Sequence, residues 1–368
     1  TSARPMPPAQ DAAVPKSAAP TWGAPRSPDF WSLVPHAGML YARTEAGIAW
    51  WDDGEELWFS VKQNPFDVFC MGLAAGNTAA WPICALERDF LFVSFDGCRS
   101  WERRSIPFRP APGIQTALAL DPAQSFTVYL FGQGPVSNAP DALTQFGLYW
   151  SFNAGRTWSG PLPVGPAAEA MGSVRHGFLA VPSDPSRYGT GGLFMATGRG
   201  VYQLFGLPSA DNPAEPLLQL TPPDQGMIAA MAVGPRANNP IAVAVQNGLD
   251  GRLQVSLDLG KTWTTRNPYA HKFLVDDLLY VDDLMFVKLM HWDPAQDDKL
   301  LGAILMSRDD GASFIDITAP DMVVPLTFQD PVNWPREGLA ASPTHLYVMS
   351  RTMGARSVAL QSLRGPAA

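Results

Sequence analysis

One octapeptide limits what this chain can fold into. Ser256-Leu257-Asp258-Leu259-Gly260-Lys261-Thr262-Trp263 follows the alternating run Arg252–Val255 and leads into Thr264-Thr265. Alternation, a polar Asp/Gly turn and renewed alternation read as a β-hairpin. In such a turn Asp258 accepts backbone N–H groups, Gly260 takes a positive φ without strain, and Trp263 buries a large apolar area. The pattern returns at Ser307–Phe314, at Ser151–Trp158 with Asn153 for the aspartate, at Ser94–Trp101 with its glycine one place early, and in degraded form at Trp50–Trp58. Successive copies start 44, 57, 105 and 51 residues apart, so the long step hides an eroded unit near Gln203. A recurrence of this size means a repeat architecture.

At 368 residues the chain accommodates two ordinary domains or one large all-β domain. Its 32 glycines and 36 prolines are spread along the length, as many short strands with many turns require. A net charge of −8 speaks against non-specific attraction to nucleic acid or to anionic membrane. The apolar runs Ile228–Val233 and Leu300–Met306 are strand-sized, well short of the roughly 20 residues of a membrane span. Three cysteines make no disulfide framework; Cys70 and Cys84 fall on neighbouring strands and read as buried thiols or one bridge. A first residue that is not Met fits a processed, exported protein, periplasmic, secreted or on the cell surface.

Residues 1–29 are rich in Ala and Pro and read as an extended leader. From residue 30 to 368 the chain parses into seven units of up to four short strands, the last lacking its fourth. A strand from Thr21–Phe30 is expected to complete that last unit. The longest connections are Pro268–Leu284, with Asp276, Asp277, Asp282 and Asp283 among apolar residues, and Pro320–Glu337. Loops of this length in a compact domain are usually functional, and the first is expected to overhang a central pore.

The repeated octapeptide resembles the Asp-box, or bacterial neuraminidase repeat, of β-propellers that include sialidases, xyloglucanase-type glycosidases, sortilin-type receptors and photosystem II stability/assembly-factor-like proteins. The resemblance implies an all-β propeller of four-stranded antiparallel blades, seven for this chain, with six or eight as alternatives. It also implies that the boxes sit on outer hairpins away from the ligand face. Asp52, Asp96, Asn153, Asp258 and Asp309, with Trp101, Trp158 and Trp263, are then structural. The sialidase signature is incomplete: Phe108-Arg109-Pro110 follows a box instead of preceding the first one, and no Tyr/Glu pair is identifiable. A glycosidase needs two opposed carboxylates, for which Asp224, Glu337 and Asp277 are the candidates.

Aligning the units places an arginine at the end of the second strand four times, at Arg43, Arg88, Arg199 and Arg351. These turns lie opposite the octapeptide turns, and a ring of guanidinium groups suits carboxylate, sulfate or an acidic protein surface. Trp81, Trp292 and Trp334 are candidate sugar platforms. The five histidines are scattered without metal-ligand spacing, Gly198-Arg199-Gly200 and Gly132-Gln133-Gly134 lack the context of a phosphate loop, and Gly-x-Ser-x-Gly is absent. No metal or cofactor is expected. The sequence points to a binding or scaffold propeller for a protein or glycan partner, with a sialidase-like or xyloglucanase-like glycoside hydrolase as the alternative.

Overall fold

The computed structural model describes residues 30–37, 39–44, 47–52, 57–62, 70, 72–76, 80–87, 89–108, 116–121, 126–135, 144–163, 178–180, 193–197, 200–204, 218–220, 226–234, 240–293, 299–319, 325–326, 338–350 and 354–364. The predicted leader lies outside them.

Strands follow in sets of neighbours along the chain. The first sheet is β1 (Phe30–His36), β2 (Met39–Thr44), β3 (Gly47–Asp52) and β4 (Leu57–Ser60); the second is β5 (Gly72–Ala75), β6 (Ile83–Glu87), β7 (Phe90–Ser94) and β8 (Glu102–Ser105). The third is β9 (Ala117–Leu120), β10 (Val128–Pro135), β11 (Thr144–Ser151) and β12 (Ser159–Pro163); the fourth is β13 (Phe178–Ala180), β14 (Leu193–Thr197), β15 (Gly200–Leu204) and β16 (Leu218–Leu220). That fourth sheet fills the 105-residue step and contains Gln203. The fifth is β17 (Met227–Val233), β18 (Ile241–Asn247), β19 (Asp250–Ser256) and β20 (Thr264–Thr265). In the sixth, β21 (Phe273–Val281), β22 (Leu284–Asp293), β23 (Lys299–Ser307) and β24 (Ile315–Asp316) are joined by β25 (Pro325–Leu326), which also pairs with β23. The seventh sheet is β26 (Leu339–Ala341), β27 (His345–Ser350) and β28 (Gly354–Ala359), followed by the short helix α1 (Leu360–Arg364).

Apart from β25 on β23, the pairings are antiparallel between sequence neighbours, so each sheet is a meander whose first-to-second and third-to-fourth turns share one end. Central strands are buried on both faces, as in β6 and the first five residues of β18. This means that apolar layers lie between sheets. One core joins Leu253 and Val255 of β19 to Phe273, Val275 and Leu278 of β21; another joins Leu40 and Trp51 of the first sheet to Ala340 and Met349 of the seventh. The first strands of successive sheets touch in turn, from β1 through β5, β9, β13, β17 and β21 to β26, and β26 touches β1. Short sheets stacked in this cyclic way cover one another's faces and leave only short outer edges, which is the physical logic of a propeller.

Two expectations need correction. Pro268–Leu284 is not an overhanging loop, because Phe273–Val281 is β21, the first strand of the sixth sheet. Its alternation is disguised by a register shift between Val275 and Asp277, where an extra residue breaks the period of two. The second concerns closure. Phe30, at the end of the segment expected to complete the last sheet, belongs to β1 and pairs with Thr44 of β2. Beside β28, α1 buries Leu360 and Leu363 in the core shared by the sixth and seventh sheets. Cys70, Cys84 and Cys98 are free and buried, and burial pushes the Cys84 thiol up to about 12.

Candidate functional site

The turns after β7, β11, β19 and β23 share one design. In each, the serine hydroxyl donates to the acidic or amide side chain two residues on, at 2.8–2.9 Å, and accepts the N–H four residues on, at 2.7–2.8 Å. The same Oδ1 accepts the N–H of Ser100, Thr157, Thr262 or Ser313. The hydroxyls of Ser100, Thr262 and Ser313 donate to the second carboxylate oxygen at 2.6 Å, whereas Asn153 reverses the direction and donates Nδ2 to Thr157. Two residues of each turn have positive φ; in the variant turn Gly97 and Cys98 take these places, so the displaced glycine preserves the conformation. Hydrogen bonds led by the Ser100 hydroxyl hold the Asp96 carboxyl down at about 2, and those from Thr262 depress Asp258. Trp101, Trp158 and Trp263 are half-buried, each against a core shared with the preceding sheet. The serine, aspartate or asparagine, and hydroxyl side chains bond to one another and to backbone N–H groups inside the turn, so they fasten hairpins. Asp52 ends β3, and the residues of its turn, 53–56, lie outside the described set.

Among the acid candidates, Asp224 and Glu337 lie outside the described residues, and Asp277 is engaged in structure. Its Oδ2 accepts the N–H groups of Gly338 and Leu339, and its Oδ1 that of Leu278, all at 2.8 Å. Burial raises the Asp277 carboxyl to about 6, against these bonds and the pull of Lys288. Lys288 is fully buried on β22; burial pushes its ammonium down to about 8, while Asp276 and Asp277 draw it up. A Cβ on Gly338 would stand 2.4 Å from Lys288 Nζ, so a side chain here would displace the buried ammonium. This cluster docks the seventh sheet on the sixth. Of the four arginines, Arg43 is buried at the end of β2, and Arg88, Arg199 and Arg351 lie outside the described residues.

At the opposite end from the octapeptide turns, the β18–β19 turn, the connection from β20 to β21 and the end of β22 enclose a cleft of about 700 Å3. Its lining includes Asp250, Asn267, Tyr269, His271, Lys272 and Trp292. The Tyr269 ring stacks on His291 (4.3 Å between centroids, 19°) and on His271 (4.9 Å, 27°). The imidazoles are 5.3 Å apart, with His271 Nε2 and His291 Nδ1 at 3.1 Å, so both lie over the same face of the tyrosine. Gly251 forms the back of the cleft, where a Cβ would stand 2.2 Å from the Phe273 carbonyl. The Trp292 N–H donates to the Lys272 carbonyl at 3.0 Å, fixing β22 to the β21 approach. Sequence spacing left the two histidines unrelated; the β21–β22 hairpin, with Phe273 opposite His291, is what joins them. Of the three candidate tryptophans, Trp292 lines the cleft, Trp81 packs over Gly76 and Trp334 lies outside the described residues. Among the described residues no group of three or more His, Cys, Asp or Glu is placed to hold a metal.

Small antiparallel meanders in cyclic contact, with cores between them, define the β-propeller class. No protein-family model and no curated protein matches the sequence. Among solved structures the chain is similar to a GH74 xyloglucanase from Xanthomonas campestris, with 14% identity, a TM-score of 0.63, and coverage of 93% of this chain and 54% of that one. It therefore spans about half the length of that enzyme. It is also similar to YCF48 from Cyanidioschyzon merolae (12%, TM-score 0.56, 94% and 99% covered). A third likeness is to the extracellular domain of a one-component system from B. thetaiotaomicron (9%, TM-score 0.53, 95% and 40% covered). At these identities the likeness shows the fold. No helix among the described residues is long and apolar enough to cross a membrane.

Proposed function

We propose that this chain is a seven-bladed Asp-box propeller of extracytoplasmic setting that binds a protein or glycan partner through the face opposite the octapeptide turns. The observation that carries this reading is the cleft of about 700 Å3 on that face, where Tyr269, His271, His291 and Trp292 gather. Its size suits a small ligand or a protruding side-chain cluster. Aromatic rings give contact area at low entropy cost, and Asn267, Asp250 and Lys272 provide directional polar groups around them. The second-strand arginines expected from the sequence belong to the same face in this reading; of these, Arg43 is buried at the end of β2, and Arg88, Arg199 and Arg351 lie outside the described residues. Asp277 belongs to the scaffold in this reading, since both of its oxygens already accept backbone amides.

The experiment pairs a glycan and protein array with a chromogenic glycoside screen. Binding that is lost in Trp292→Ala and His271→Ala, without turnover, is the expected result. Turnover abolished by one carboxylate substitution would replace the reading with a glycoside hydrolase. Loss of binding in Arg43→Ala/Arg199→Ala separates the arginine contribution from that of the cleft.

A further inference from the structure

The end of the propeller that carries the octapeptide turns bears an apolar patch to which the turn network assigns no role. Phe95 and Phe152 occupy the second position of their turns and are 39% and 54% exposed. Phe126, 46% exposed in the β9–β10 connection, lies 6.1 Å from Phe95 between ring centroids, and its carbonyl accepts the N–H of Ala154 at 2.7 Å. Met39, 38% exposed at the β1–β2 turn, touches the Tyr41 hydroxyl, which packs against Gly97. Four large apolar side chains from three consecutive sheets thus share one surface. Most exposed apolar residues are scattered singly and need no explanation; a contiguous group does.

We propose that this patch docks a protein segment that combines apolar side chains with carboxylates. Phenylalanine, methionine and arginine together are the composition of interface centres. Arg99 and Arg156 stand exposed in the same two turns, Glu102 lies 3.6 Å from Arg156, and over these turns and β8 the four arginines Arg99, Arg103, Arg104 and Arg156 outnumber the two carboxylates Asp96 and Glu102. The chain as a whole carries −8, so a local basic rim selects an acidic contact where the rest of the surface repels one. The platform is rigid before binding. Arg104, buried beneath it, donates to the carbonyls of Asn153 and Ala154 at 3.3 and 2.5 Å, pairs with Glu102, and lies 5.6 Å from the centre of the Phe95 ring. A surface whose turns are locked in this way loses little entropy on docking.

The test uses fluorescence anisotropy with two short blocked peptides, one alternating Leu and Phe with Glu, the other with Lys in place of Glu. Vesicles of phosphatidylcholine and phosphatidylglycerol in equal parts run alongside. The Glu peptide is expected to bind the full chain and the Lys peptide to bind at least about tenfold more weakly. Phe126→Ser/Phe152→Ser and, separately, Arg99→Glu/Arg156→Glu are each expected to weaken the Glu peptide about tenfold with melting unchanged. His271→Ala, in the opposite cleft, leaves this binding intact, so failure of either proposal is distinguishable from failure of the other. Equal binding of both peptides, no binding, insensitivity to the phenylalanine pair, or capture by vesicles instead of peptide each overturns the docking proposal.

Discussion

Replacing Asp277 by alanine tests whether the acids of residues 276–283 are structural or a solvated cluster. In the folded chain the side chain satisfies three backbone N–H groups at 2.8 Å, two of them at the start of the seventh sheet, and faces a fully buried Lys288. Each buried donor left without a partner costs about 1–3 kcal/mol, and removing one member of a buried charge cluster about 3–5 kcal/mol. These costs overlap, because the same carboxylate serves both. A loss of about 4 kcal/mol lowers Tm by roughly 5–6 °C in a domain of this length. Asp277→Asn retains an acceptor oxygen but no charge, and should fall between wild type and alanine. Asp282→Ala is the control: Asp282 pairs with Arg364 at the surface, so its removal should change Tm by no more than about 2 °C. The assay is thermal unfolding followed by tryptophan fluorescence, with limited proteolysis to locate the weakened region at the seventh sheet. Equal shifts for Asp277→Ala and Asp282→Ala would refute the docking role assigned to Asp277.

The same cluster sets an unusual pH dependence. Asp277 titrates near 6 when folded, above its ordinary range, so between about 4 and 6 the folded chain holds a proton that the unfolded chain has released. Stability from this group therefore falls as pH rises through that window. Lys288, lowered to about 8, loses its proton in the folded chain first, and its contribution rises with pH above 8. The difference in Tm between wild type and Asp277→Asn across pH 4.5–7 should show the first slope, and a flat difference would contradict it. In the turns, Ser256→Ala removes an acceptor 2.7 Å from the Gly260 N–H and should cost about 1–3 kcal/mol by chemical denaturation. Asn153→Asp lets Thr157 donate as its counterparts do, with a charged acceptor, and should raise Tm by about 1–2 °C. Gly251→Ala drives a methyl into the Phe273 carbonyl, should cost about 1–3 kcal/mol, and should weaken any ligand of the cleft.

What the sequence discloses tracks how local the governing interactions are. Every bond that shapes the turn at Ser256 lies within four residues of another member, so the octapeptide alone predicts its geometry. Strand placement was also legible where alternation is clean, as at Arg252–Val255 of β19, or where a short apolar run marks a strand buried on both faces, as in β22. β21 was hidden because its bulge shifts the alternation by one residue, and because Asp276, Asp277, Asp282 and Asp283 resemble a solvated loop. Missing that strand also concealed the cleft, since His271 and His291 meet only through the hairpin it forms. Lys288 gave no signal, because a lysine between Val287 and Leu289 looks like an outward residue until the neighbouring sheet is placed over it.

The locality that makes the turns legible also leaves them free to carry something else. A turn whose serine, aspartate and hydroxyl bond among themselves requires nothing of the residue at its second position, which sits at the tip. The chain fills that position with Phe95, Phe152, Leu257 and Arg308. All four are exposed. Arg308 also donates to the Leu363 carbonyl, anchoring α1 against the sixth sheet, where α1 buries two leucines. One unconstrained position thus serves two ends: fastening the helix beside the last sheet, and, with Phe126 and Met39, building an apolar surface across the first three. Variation at that position changes the surface without disturbing the hydrogen bonds beneath it, so Phe152→Ser should leave the Asn153 network and the melting temperature intact while altering what the turn face can bind.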